Sequence, residues 1–259
     1  MLMRRASTCL VLCGLVVVGL CGVASAAPTV TLKVKPVPLK GFPGTGDILG
    51  AGAAVEVQYT IKGSEVPVGA PSQLRKVVFD SPAGVKLNPK PFVTCSVATL
   101  EAQGPEGCPK KSQASPVGTA GVVDYIGGEA VRENATLQAF FSPHGVLSFY
   151  ANGVSPISAQ VLVPGRFENA SAPFGPKFVG EVPLVDSVPG APPVSTETIT
   201  VKVGAAVKKG KKTESYITLP KKCPKGGFPV KSEMTFEAVA PSTTMETVAV
   251  TYTVPCPKK

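Results

Sequence analysis

The sequence has no tryptophan and a single histidine, His144, among 259 residues. Zinc sites built on histidine and hydrolases of the Ser-His-Asp type therefore have almost nothing to work with. The nucleophile elbow GxSxG is absent, and so are CxxC pairs and the close acidic clusters of calcium loops. Aromatic residues make up 6% of the chain, so platforms for stacking sugars or bases are scarce. Charged residues stop at 17%, which excludes a disordered polyelectrolyte. After residue 26, no apolar run is long enough to cross a bilayer as a helix.

What is present is a chain with 44% hydrophobic residues and 27 each of glycine and proline. The length suits one large domain or two small ones. So much glycine and proline opposes long helices and favours many short elements joined by turns.

The first residues read as an export signal spanning 1–26. Arg4 and Arg5 give a positive start, Cys9 to Val23 form an unbroken apolar stretch, and Ala24-Ser25-Ala26 supplies small residues for cleavage. At 1.5 Å rise per residue that stretch spans about 22 Å, short of a bilayer core. The remainder, 27–259, is expected to be secreted or held in the cell envelope, with no membrane span.

Removing Arg4 and Arg5 leaves 24 basic against 17 acidic residues, a net charge of +7. The excess is concentrated in Lys208-Lys209-Gly210-Lys211-Lys212, in Lys221-Lys222 with Lys225, in Lys110-Lys111 and in Lys258-Lys259. Lys208, Lys209, Lys211 and Lys212 are candidate contacts for an anionic cell-wall polymer or polysaccharide. They equally suit a solvated hairpin tip that protects a strand edge. No aromatic residue is interleaved with them, so specific nucleic-acid binding is not expected.

Four cysteines follow the leader: Cys95, Cys108, Cys223 and Cys256. An even number in an exported chain reads as two disulfides, with three connectivities open. Cys95–Cys108 and Cys223–Cys256 are chosen because each pair brackets a locally coherent unit.

Apolar and polar residues alternate strictly in 30–35, 55–62, 199–203, 234–237 and 247–254. Period-two patterning with one wet face is the signature of antiparallel strands over a shared core. Further strands are expected at 74–80, 118–126, 135–141, 146–151, 158–163, 177–183 and 214–219. About twelve short strands and one helical turn at 97–102, capped by Ser96 and ended by Gly104, predict an all-β antiparallel sandwich, Ig-like or larger. The pattern is consistent with one large sandwich or with two lobes whose boundary falls near 127–128 or 189–193. The glycine-rich stretch 40–52 precedes a strand rather than a helix, so it reads as a loop and not a phosphate cradle.

Several segments resemble a family of secreted bacterial β-sandwich proteins with paired cysteines. They are Gly46-Asp47-Ile48-Leu49-Gly50-Ala51-Gly52-Ala53, Pro91-Phe92-Val93-Thr94-Cys95 with Cys108-Pro109, and Val182-Pro183-Leu184-Val185-Asp186-Ser187-Val188-Pro189-Gly190. Lys222-Cys223-Pro224-Lys225-Gly226-Gly227-Phe228-Pro229 and Tyr252-Thr253-Val254-Pro255-Cys256-Pro257 complete the set. The resemblance implies export and paired cysteines, and brings no activity, ligand or catalytic residue with it.

The functional expectation is an exported non-catalytic structural or binding protein without cofactor or metal. The alternative is an extracellular carbohydrate-active enzyme using two carboxylates, drawn from Asp124, Glu129, Glu133, Glu181 and Asp186. His144, followed by glycine between two expected strands, reads as an exposed turn residue.

Overall fold

A computed structural model describes residues 27–42, 48–63, 69–127, 129–156, 158–185, 193–238 and 244–257. The leader 1–26, residues 43–47 of the glycine-rich loop, Gly128, 189–192 and Lys258-Lys259 lie outside the described residues. Fifteen strands are described: β1 Thr29–Pro38, β2 Gly52–Lys62, β3 Gln73–Pro82, β4 Lys86–Leu87, β5 Gly118–Ile126, β6 Glu129–Phe141, β7 Leu147–Gly153 and β8 Ala159–Asn169. They continue with β9 Phe174–Glu181, β10 Ser195–Val203, β11 Ala206–Lys209, β12 Lys212–Ser215, β13 Ile217–Thr218, β14 Phe228–Glu237 and β15 Met245–Val254. One helix, α1 (Val97–Gln103), has Ser96 accepting from the Thr99 amide and Gly104 at its end with φ 63°. Ser96 and Gly104 thus play the capping parts expected of them.

The fold is all-β and antiparallel, as the alternation predicts. Its main sheet runs β15-β14-β3-β9-β8-β7-β6-β5-β10-β2, with β1 on the far side of β2. β13 also pairs with the start of β2 and β4 pairs with β13, while β11 and β12 form a separate hairpin. Every pairing along the path from β15 to β1 is antiparallel. That path has eleven strands, an odd number, so its first and last strands run in the same direction. β1 and β15 lie beside one another without a ladder among the described residues, and the sheet folds over so that its inner faces stack.

The alternating residues explain which face turns in. Val30, Leu32 and Val34 of β1 are buried between exposed Thr31, Lys33 and Lys35. On β14, Phe228, Val230, Ser232, Met234 and Phe236 are buried in the same rhythm. These two sets meet Tyr59, Ile61 and Leu74 in one core cluster. There the Tyr59 hydroxyl of β2 donates to Ser232 Oγ of β14 at 2.8 Å, and Ser232 donates on to the Val78 carbonyl of β3 at 2.7 Å. A second cluster is built from β6, β7, β10 and Tyr216, with Phe141 and Tyr216 rings 4.7 Å apart.

Both chosen disulfides are present, Cys95–Cys108 and Cys223–Cys256, with Cα separations of 5.4 and 5.8 Å. The first ties a loop containing α1 onto the outer face of the sheet, where Leu100 packs with Phe140, Tyr150 and Cys95. The second ties the segment before β14 to the end of β15.

The strand count exceeds the expected twelve for local reasons. β11 is held by the Gly210 turn rather than by apolar alternation, β4 is two residues long, and the segment 214–219 is split at Tyr216 into β12 and β13. β6 begins at Glu129 rather than 135, because its first half carries Glu133 at an inward position that breaks the apolar rhythm.

Gly165 of β8 faces Gly180 of β9, and the Phe178 ring lies over the space between them. A methyl at Gly165 would overlap that ring. Gly165→Ala is expected to cost about 1–3 kcal/mol through overpacking, and Phe178→Leu in the same chain should recover part of it. Urea denaturation of the single and double variants checks this; equal losses from the two changes, simply added, would contradict it.

Candidate functional site

Two features stand out from the scaffold, a cationic end and an apolar interior. The cationic end arises from where the strands stop. β1 ends at Pro38, opposite the start of β2, and β10 ends at Val203 nearby. The chain then passes directly into the β11–β12 hairpin, held by the Tyr216 amide donating to the Ala205 carbonyl at 2.9 Å. The segment around Leu219 and Pro220 is bonded to the start of β2, with Gly50 N to Pro220 O and Leu219 N to Ala51 O both 3.0 Å. These connections gather Lys40, Lys208, Lys209, Lys211, Lys212, Lys221 and Lys222 at one end of the sheet, all exposed.

The hairpin places Lys209 directly opposite Lys212 and Lys208 opposite Thr213. Its two-residue loop is Gly210-Lys211, with Gly210 at φ 62°, the conformation a tight hairpin turn needs at its first central position. Like charges facing each other across a hairpin repel and oppose the pairing. Among the described residues, none of these lysines has an ion-pair partner.

Five cations elsewhere among the described residues are paired with carboxylates. Arg132 forks onto Glu197, with Nε and Nη2 at 3.0 to 3.1 Å from the carboxylate oxygens. Arg75 pairs with Glu237 at 3.1 Å. On the outer face of β8, β9, β3 and β14, Arg166 and Lys177 both engage Glu168, and Lys231 engages Glu233. The Arg166 hydrogen bond holds the Glu168 carboxyl below its ordinary range. Burial pushes the Asp80 carboxyl up against the opposing pull of Lys177 and Lys231. The opposite end of the sheet collects acids, with Glu129 in the β5–β6 hairpin, Glu181 at the end of β9 and Glu246 at the start of β15.

The interior holds a cavity of about 300 Å³. Its wall is aliphatic and aromatic, including Val55, Val57, Val77, Phe149, Val161 and Phe178. Tyr59 and Tyr216 also line it, as do Asp124 and Glu133 toward the acidic end. Asp124 faces Val131 across the β5–β6 ladder and Glu133 faces Val122, so the two carboxylates are diagonal neighbours on one face. Both are buried. Of the five acids considered from sequence, Asp124, Glu129 and Glu133 therefore share a hairpin, while Glu181 lies exposed on β9 and Asp186 falls outside the described residues.

His144 is exposed in the turn between β6 and β7, with φ 61° and ψ 25°. No group of three or more metal-ligating side chains occurs among the described residues, and none of their helices is long and apolar enough to cross a membrane. Sequence reasoning found the lysine cluster, because charge runs are visible in one dimension. It missed the cavity, whose wall comes from strands remote in sequence.

No family model matches this sequence, and no curated protein sequence matches it. A solved structure similar to it is that of the T6 backbone pilin of serotype M6 Streptococcus pyogenes, which has a modular three-domain structure decorated with variable loops and extensions. The similarity covers 88% of this chain and 36% of the pilin, at 12% identity and a TM-score of 0.33. It is too slight to bear on function.

The two cavity tyrosines set an alkaline limit. Burial pushes both the Tyr59 and Tyr216 phenols well above their ordinary value, with the Ser232 hydrogen bond opposing this at Tyr59. The unfolded chain therefore releases these protons first, at about pH 10. Stability from this source is whole below that pH and is lost as pH rises above it. Tyrosinate absorbance should show these two of the five tyrosines ionising only together with loss of the folded circular dichroism signal. Ionisation of all five before any unfolding would contradict the burial.

Proposed function

We propose that this chain is an exported, non-catalytic binding protein of the cell envelope or extracellular space, which contacts anionic surface polymers through the cationic end of its sheet. Two disulfides support a life outside the reducing cytosol. The reading of 1–26 as an export signal agrees with them. The observation that carries the reading is the placement of Lys209 against Lys212 in an exposed hairpin with no carboxylate partner among the described residues. A repeating anion laid along this end would relieve that repulsion and release its own counterions as it binds.

The position of the charge matters as much as its amount. Arg75, Arg132, Arg166, Lys177 and Lys231 on the flanks are matched by carboxylates, whereas the lysines gathered at the end of the sheet are not, and a concentrated field there can orient the molecule on a charged surface. The disulfide between Cys223 and Cys256 braces the strands beside Lys221 and Lys222.

Retention of the protein on purified anionic cell-wall polysaccharide across a salt series tests this. Binding should weaken steadily with salt, and replacing Lys208, Lys209, Lys211 and Lys212 by glutamine should reduce affinity by about tenfold or more at about 0.15 M salt. Equal retention of the variant would discard the polyanion contact. Sugar release that is lost in Asp124→Asn or Glu133→Gln would replace the reading with that of a carbohydrate-active enzyme.

A further inference from the structure

The interior of this molecule is less well filled than its exterior coverings. On β5, inward Val122 is only half-buried, whereas its outward neighbour Val123 is fully buried under the segment that carries Ala70. On β9, inward Phe178 is half-buried and outward Val179 is buried. Val55, Val57 and Ile199 touch both core clusters, yet remain partly accessible. Side chains aimed at the centre of a folded sheet stay accessible only when the centre holds open space. That space is the cavity of about 300 Å³, within the range of small-molecule sites and lined almost wholly by hydrocarbon.

Hydrocarbon walls do not hold water well, since a buried water needs two to four polar partners. The hydroxyls of Ser81, Thr196, Tyr59 and Tyr216 are spread around a wall drawn from nearly every strand. Tyr59 already donates to Ser232. The wall suits a flexible alkyl chain better than a rigid polar ring.

The two ends of the cavity differ in charge. Toward one end lie Asp124 and Glu133. At the other the wall includes Leu219 and Pro220, and the next two residues are exposed Lys221 and Lys222. The exposed lysines favour an anion at the second end.

We propose that the cavity takes the alkyl chain of a single-chain anionic amphiphile, with its head among Lys221 and Lys222 and its tail pointing toward Asp124 and Glu133. Lys221 and Lys222 belong to the same cationic end as the Lys208–Lys212 hairpin, but the cavity itself lies apart from that surface, so variants that fill it separate this proposal from the polymer contact.

Displacement of dansylaminoundecanoic acid from the purified, disulfide-bonded protein reads the site directly. Dodecanoate should displace it saturably with one site per chain, and dodecylamine should be weaker by about tenfold or more because its head carries the wrong sign. Val57→Phe and Val161→Phe fill the space from opposite parts of the wall. Each should lose dodecanoate affinity by about tenfold or more while keeping its circular dichroism and its retention on anionic polysaccharide. Joint replacement of Lys221 and Lys222 by glutamate should weaken dodecanoate several-fold and leave dodecanol unchanged. The variant with Lys208, Lys209, Lys211 and Lys212 replaced should bind dodecanoate normally. No saturable displacement in the native protein, or undiminished binding in both filled variants, would overturn the proposal. Dodecylamine binding as tightly as dodecanoate would overturn the assignment of the head to the lysines.

Discussion

A single sheet with one apolar face must hide that face from water, and here it does so by folding over until its two outermost strands lie side by side. The contact between the two ends is the constraint on which the rest depends. Val30, Leu32 and Val34 at one end share a core with Val230, Met234 and Phe236 near the other. The bond from Tyr59 to Ser232 joins the same two ends through their polar atoms. Apolar burial supplies the drive, being non-directional and scaling with area. The hydrogen bond supplies register, because a buried hydroxyl without a partner carries a penalty of its own. An odd number of alternating strands leaves the meeting ends parallel, so side chains take up work that a ladder does elsewhere in the sheet.

Folding over also creates the candidate functional surfaces. Once the strands are arranged around a common interior, their ends gather at two rims. The connections at one rim are rich in lysine, while those at the other carry carboxylates. Along the wall, Lys177 of β9 pairs with Glu168 of β8, and Lys231 pairs with Glu233 within β14. The molecule therefore has a polar axis that runs along its strands. The space left between its two core clusters lies along the same axis. Its charge and its cavity are both consequences of strand placement.

Much of this was legible residue by residue. Strict alternation in β1, β2, β10, β14 and β15 announced strands with one wet face, and these are the strands whose outer side chains do face solvent. Ser96 and Gly104 marked the helix by their own side-chain and backbone chemistry. The two disulfides could be chosen because each closes a local unit. Where both faces are covered, alternation disappears. Val123 and Tyr125 of β5 point outward yet lie beneath the segment around Ala70, and Phe140 and Tyr150 lie beneath the loop closed by Cys95 and Cys108. Such strands read as continuous apolar runs, so their inner face could not be assigned in advance. The pairing of Asp124 with Glu133 on one face depends on β5–β6 register, and the cavity depends on distances between strands far apart in sequence. Lys208 to Lys212 was visible as a charge run, but the facing of Lys209 and Lys212 emerged only with the turn at Gly210.

Methyl nuclear Overhauser contacts in the native, disulfide-bonded protein test the meeting of the two ends most directly. Methyls of Val30, Leu32 and Val34 on β1 should show cross-peaks to Val230 and Met234 on β14, which are separated from β1 by eight intervening strands along the ladder and by one across the seam. Cross-peaks from β1 confined to β2 and β10, with none to β14, would mean an open sheet and contradict the account.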